Sequence, residues 1–197
     1  MQNNEKLSKL LEEGEAVRWS GTPQPYGLFD ETHKTSTMIS LFWALFWGII
    51  LVGGYYASTV KSGQEIQKGV MFFCAIIPIA VAWSPIGDKN YIKKLLYAVT
   101  DKKVIVVSPE TSNSFIMNIA GIDGVRVEKT KNGNCHIKVG SPVFKASAKK
   151  LLGLAIRGET DNEGNDKICK GLVFYNVSAE DGNAICGLLK PIVEVGQ

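Results

Sequence analysis

Between Thr37 and Gly87 the chain carries two long apolar runs separated by a short polar stretch containing Lys61, Glu65 and Lys68. The first run, Thr37 to Ala57, has no Asp, Glu, Lys, Arg or His. As a helix rising 1.5 Å per residue it reaches about 31 Å, the hydrocarbon thickness of a bilayer. Its Leu, Phe, Ile and Val side chains together favour insertion by about 2 to 5 kcal/mol, with no charge to oppose them. The second run, Gly69 to Gly87, is also uncharged, reaches about 28 Å, and carries Pro78 in its middle, which lipid tolerates as a kink. The pattern predicts a transmembrane hairpin over 37–57 and 69–87, in preference to a buried hairpin in a soluble core.

On either side the texture changes. In residues 1–36, Leu7, Leu10 and Leu11 have helical spacing before Gly21, Pro23 and Pro25 end regular structure, which predicts an amphipathic N-terminal arm. Glu12, Glu13 and Glu15 outnumber Lys6 and Lys9 there, so the arm is expected to pack on the soluble part and not on an anionic membrane surface. Residues 88–197 read as one compact β-rich domain, with strands expected at Leu95 to Thr100, Lys103 to Ser108, Ser114 to Ile119, Val125 to Thr130, Cys135 to Val139, Leu152 to Arg157 and Leu172 to Val177. Asn132-Gly133 predicts a primed hairpin turn, and Glu159 to Lys167 a polar loop. Ser178 with Asp181 three residues on predicts a capped helix whose Ile185, Leu188, Leu189 and Ile192 share one face. The fold class that follows is α+β. A two-helix transmembrane hairpin precedes a seven-stranded bent antiparallel sheet or partial barrel, covered by a C-terminal helix.

Charge sets the orientation. Arg18 and Lys34 precede the first span and Lys89, Lys93, Lys94, Lys102 and Lys103 follow the second, against Lys61 and Lys68 between them. That bias places both termini and the soluble domain on the cytoplasmic side of the membrane. Trp43, Trp47 and Trp83 fall at the same side, and Tyr55 and Tyr56 at the other. The opening residues, MQNNEKLSKLLEEGE, are polar and do not read as a secretory signal, which leaves the hairpin as the targeting element. A net charge of +3 with interspersed signs gives no reason to expect a nucleic-acid partner. Cys135, Cys169 and Cys186 are far apart with no Cys-x-x-Cys pairing, and Cys74 lies in the second run, so all are expected to be reduced packing residues and no metal centre is expected.

Catalytic chemistry finds little support. His33 and His136 have no convincing nucleophile or acid partner, and His136 beside Cys135 in a strand points to the opposite face. In ETDNEGND from Glu159, Gly164 comes too early for a calcium loop. Asn176-Val177-Ser178 fits a glycosylation sequon but lies at a strand-to-helix junction on the expected cytoplasmic side. No ionisable residue lies inside the apolar runs, which argues against a proton or ion path. Gly53 with Ala57, and Ala44 with Gly48, have the small-xxx-small spacing that lets helices approach.

The pieces LLEEGEAVRWSGTPQP, two membrane helices, YAVTDKKVIVV and GLVFYNVSAEDGNAICGLL, in that order, resemble the bacterial pleckstrin-homology-like two-span membrane proteins. Gly14, Glu15, Gly21 and Pro23 in the arm and Tyr97, Thr100, Asp101 and Val104 in the first hairpin carry the resemblance, which departs from the pattern between Ser141 and Lys170. It implies a seven-stranded pleckstrin-like fold closed by a C-terminal helix and no particular enzymatic activity. The expectation is a non-enzymatic, cofactor-free, membrane-anchored domain that binds a protein or peptide partner through Ile185, Leu188, Leu189 and Ile192. Two alternatives are an anionic-lipid sensor using Lys89, Lys93, Lys94, Lys102 and Lys103, and an accessory subunit of a membrane transport or stress-response assembly.

Overall fold

The computed structural model describes residues 2–108, 114–144, 155–157 and 169–189, and the chain forms two compact units. One is Gly27–Lys89; the other joins Met1–Tyr26 to Asn90–Gln197. The helical unit is therefore inserted into the β-rich one. The expected loop at Glu159 to Lys167 and the position of Ile192 lie outside the described residues.

In the helical unit, α2 (Glu31–Trp47), a wider π-helical segment (Gly48–Gly53) and α3 (Gly54–Lys61) follow one another without a break. After a short loop comes α4 (Lys68–Ile92), which contains Pro78 and Pro85. Two helices, Lys34–Lys61 and Lys68–Ile92, are long and apolar enough to cross a membrane. Their large side chains, among them Leu45, Ile49, Phe72, Phe73 and Trp83, lie on the surface, as an apolar solvent would require. Each proline removes one helical hydrogen bond, which the sequence expected only at Pro78. A Cβ on Gly48 would lie 3.9 Å from Pro78 Cβ, so Gly48 is where the two helices approach, whereas a Cβ on Gly53 would meet nothing. At the tip, the Gln67 N–H donates to the Tyr55 hydroxyl at 3.0 Å.

The second unit is two antiparallel four-stranded sheets. β1 (Val17–Gly21), β2 (Leu96–Thr100), β3 (Lys103–Val107) and β4 (Ser114–Asn118) form the first, in that order. β5 (Val125–Lys129), β6 (Cys135–Val139), β7 (Ala155–Arg157) and β8 (Cys169–Val177) form the second, in the order β5-β6-β8-β7. Tyr97, Val99, Val104, Val106, Phe115 and Met117 from one sheet meet Val125, Ile137, Val139, Leu172 and Phe174 from the other in a shared core. The alternate residues of the first sheet, Leu96, Ala98, Ile105, Val107 and Ile116, are covered by Leu7, Leu10 and Leu11, which places the N-terminal helix α1 (Gln2–Leu10) on the outer face. Both faces being buried is why these strands read as unbroken apolar runs and not as alternation. α5 (Ala179–Leu189) closes the core with Ile185 and Leu189, both 0% exposed.

Each of the seven expected strands has a counterpart among the described residues, although of Leu152 to Arg157 only Ala155–Arg157 is described, and β1 is a further, unforeseen strand. It pairs Trp19 with Val99 and Gly21 with Tyr97. Its Trp19 packs on Phe174, ring centroids 5.9 Å apart, and its Nε1–H donates to Asp181 Oδ1 at 3.0 Å. The arm is thus part of the β unit and not a separate segment. The turn at Asn132-Gly133 also differs from expectation. Only Gly133 has a positive φ, +80°, and the Gly133 N–H donates to Thr130 O at 3.2 Å. A type I′ turn needs both central residues left-handed and a type II′ turn the first of them, whereas Asn132 is not left-handed here; this is a three-residue turn with one left-handed glycine.

Because β1 and α1 complete the unit, a fragment of residues 88–197 lacks Trp19 and bares the outer sheet face, and is expected to show no cooperative thermal transition by circular dichroism. Replacing 27–89 with a short flexible linker keeps the arm and is expected to give a soluble, cooperatively melting domain. In that background Trp19→Ala should lower stability by about 3 kcal/mol.

Candidate functional site

The five lysines expected to act together are split up. Lys89 belongs to the helical unit, and Lys93 and Lys94 precede β2. Lys102 lies in the β2–β3 turn and Lys103 opens β3, both at the far end of β2, about 13 Å of strand away from its start at Leu96. There they face the arm's acids, Lys103 largely buried and Lys102 half exposed. Lys103 Nζ lies 2.7 Å from Glu12 Oε1 and 3.6 Å from Glu15 Oε2, and Lys102 Nζ lies 3.1 Å from Glu12 Oε2.

Glu15 is the centre of this cluster. Its buried carboxylate accepts the Glu12 N–H at 2.9 Å and the Thr100 hydroxyl. Thr100 Oγ in turn accepts the Lys103 N–H at 2.7 Å and the Lys102 N–H at 3.1 Å. A buried carboxylate is stable here because every donor around it points inward. The Lys103 ammonium, bonded to Glu12, is held above its ordinary range, and Lys103 followed by Lys102 holds the Glu12 carboxyl below its own. Alongside, the Ala16 N–H donates to Asp101 Oδ1 at 3.2 Å and the Asp101 N–H to Ala16 O at 3.1 Å. Sequence reading saw five basic residues and missed their partners, because Glu12 and Glu15 lie far off along the chain; the one local signal was an acid directly after Gly14.

A second region surrounds the N-terminal half of α5. Ser178 Oγ accepts the Asp181 N–H at 3.0 Å and donates to Asp181 Oδ2 at 2.6 Å, the expected cap. Asp181 also holds Trp19, which fixes the helix against β1. Of the apolar face expected to meet a partner, Ile185 and Leu189 are buried in the domain's own core and Leu188 is 37% exposed. A helix that covers a sheet must turn its apolar stripe inward, so that stripe is the wrong place to look for a partner.

The open surface lies beside the stripe. Gly182 comes so close to Cys135 Sγ that a Cβ there would collide with it, and burial pushes the Cys135 thiol up to about 11. This close approach leaves a groove of about 290 Å³ between α5 and β5, lined by Val127, Lys129, Thr130, Asn134, Gly182 and Asn183 among others. Among the described residues β5 is an edge strand, paired on one side with β6. Alternate N–H and C=O groups along such an edge point away from the sheet. Arg126 and Lys129 are exposed, and Val127 and Glu128 are half-buried.

Bonded to Asn134 of the groove wall, Asn176 is buried with a left-handed φ of 50°. Its side chain donates to Gln24 O at 2.7 Å and accepts from Asn134 Nδ2 at 3.2 Å, and its N–H donates to His136 Nδ1 at 2.9 Å. The sequon asparagine is therefore a structural knot, and His136, stacked on Tyr175 at 4.2 Å, is part of it. No family model, curated protein or solved structure matches this chain.

The carboxylate cluster gives a pH prediction. Glu12 has a folded value below its ordinary 4.5, so its contribution is present above that pH and is lost as pH falls through the lowered value. The thermal midpoint of the linker-joined domain should drop on acidification from pH 5 to about pH 3, and drop less in Glu12→Gln. Glu15→Gln, which strands buried donors, should cost about 1 to 3 kcal/mol at neutral pH by chemical denaturation.

Proposed function

We propose that this chain is a non-enzymatic, membrane-anchored binding module. Its hairpin spans a bacterial inner membrane, and its pleckstrin-like domain takes an extended peptide segment of a partner at the cytoplasmic face. The anchor reading draws support from two helices of membrane-spanning length, each with a long uncharged run and surface-exposed apolar side chains. The orientation draws support from the excess of Lys and Arg outside the hairpin over Lys61 and Lys68 within it. The pleckstrin-like reading draws support from two antiparallel sheets packed on one core and closed by α5.

The single observation that carries the binding reading is the β5 edge beside the α5 groove. An extended segment added to that edge gains main-chain hydrogen bonds, and the groove sorts its side chains. An anionic-lipid sensor is the second reading, and what favours it is that Lys89, Lys93 and Lys94 follow one another closely at the end of the second apolar helix.

A photo-crosslinking residue at Asn183, on the groove, is expected to give a discrete adduct in native membranes, and one at Ser20, on β1, is not. Recovery of no adduct from Asn183 would count against peptide binding at this edge. The chain should stay in the pellet after alkaline carbonate extraction, and a cysteine replacing Gly63 in a Cys74→Ala background should react with an impermeant maleimide added outside the inner membrane. Reaction only after the membrane is opened would reverse the orientation.

A further inference from the structure

Resting on that reading of the β5 edge, we infer that the segment it takes is β5 of a second copy of this chain. The two strands pair antiparallel about a two-fold axis through Val127.

The argument is the strand's own sequence, Val125-Arg126-Val127-Glu128-Lys129. Turned end for end and laid beside itself with Val127 opposite Val127, it puts Arg126 opposite Glu128 of the other copy, and Glu128 opposite Arg126. Opposed residues in an antiparallel pair always share a face, so both pairs form on the outer face and both are attractive. No other two-fold centre on the strand opposes both outer-face charges to their opposites, and Lys129, on the other face, lies opposite Val125. Edge strands are normally guarded by charge against such pairing. A guard of one sign repels a copy; one of alternating sign invites it.

The side chains are already arranged for this. Glu128 is held on the outer face by Lys138 Nζ at 2.6 Å, while Arg126 Nε reaches Glu128 Oε1 only at 3.9 Å and its side chain is 50% exposed. Arg126 can therefore exchange this long contact for a direct one across the axis. On the opposite face Val127 lines the groove. Ala179, Asn183 and Gly187, spaced four apart on α5, are small and exposed, and a Cβ on Gly187 would meet nothing. They leave clearance where the helix of the second copy passes. An isologous contact of this kind closes at two copies and does not propagate. Chains held in one bilayer also meet at a raised effective concentration.

The test uses the full chain in bilayer nanodiscs or native membranes. In a Cys74→Ala background, Val127→Cys should form an intermolecular disulfide with copper-phenanthroline, because residues opposed on the axis have Cα atoms about 4.5 to 5.5 Å apart. Arg126→Glu and Glu128→Arg, each alone, oppose like charges and should reduce that dimer about tenfold. Arg126→Glu with Glu128→Arg in one chain should restore it, and the two single variants mixed should pair with each other. Unchanged crosslinking in the single variants, or failure of the double swap to restore it, overturns the register. If the Asn183 crosslinker yields an adduct of another protein and none at twice the chain's mass, the second-copy inference fails while peptide binding at β5 stands. If it yields no adduct at all, both fail.

Discussion

The indole of Trp19 touches Phe174 on β8 and donates to Asp181 on α5, while its backbone sits in β1 opposite Val99. A strand that precedes the helical hairpin thereby joins both sheets and the C-terminal helix. Glu15, a few residues earlier, secures the same strand from its other end through Thr100 and Lys103. Without β1, the first sheet loses its edge, the core loses a wall and α5 loses the partner that orients its capping residue. The β unit is in this sense assembled from two pieces of chain, and the smaller piece decides whether the larger can close.

Inserting residues 27–89 between paired strands has a cost. Closing a flexible loop of about 60 residues carries a chain-entropy term near 3.6 kcal/mol. A helical hairpin is not a flexible loop. The close approach at Gly48 and Pro78 and the Tyr55–Gln67 bond at the tip hold its two arms together, so the flexible-loop figure overstates the cost. This favours an order in which the hairpin forms first and the sheet is completed afterwards.

Much of this fold was legible because its strongest signals are local. Two uncharged runs mark the helices, β-branched clusters mark β2 to β6 and β8, and Ser178 marks the start of α5. β1 was not legible. Val17-Arg18-Trp19-Ser20-Gly21 is short, half-exposed and bulged at Arg18, and its partner lies beyond the whole hairpin. The lysines at 102 and 103 looked available because the acids that hold them are distant in sequence. Ile185 and Leu189 show why an apolar helical stripe locates a contact without saying with what: the same spacing serves a partner or the domain's own core. Which strand is left at an edge is likewise a property of pairing order, so β5 carried no mark of its role until its neighbours were known.

Pairing order also decides how the domain bears load from the hairpin. The chain leaves β1 at Gly21 and enters β2 at Leu96, and Gly21 is the register partner of Tyr97, so both connections emerge at the same end of the pair. Force that separates them would peel the ladder one bond at a time instead of shearing several together, the weaker of the two geometries. Along the chain, two features lie between that exposed end and residues 27–89. The Gln24 N–H donates to Asn176 O and Asn176 Nδ2 donates to Gln24 O, each at 2.7 Å, and Tyr26 packs edge-on against Tyr175. On the β2 side, Ile92 and Leu95 are buried and the Tyr97 hydroxyl accepts the Tyr175 N–H at 3.0 Å. Both strands are thus fastened to β8 at Tyr175 and Asn176 before load reaches the β1–β2 ladder. That accounts for a buried asparagine accepting a left-handed backbone there: its main chain and side chain together form the clamp, and the strain at φ 50° is held by four hydrogen bonds to Gln24, Asn134 and His136.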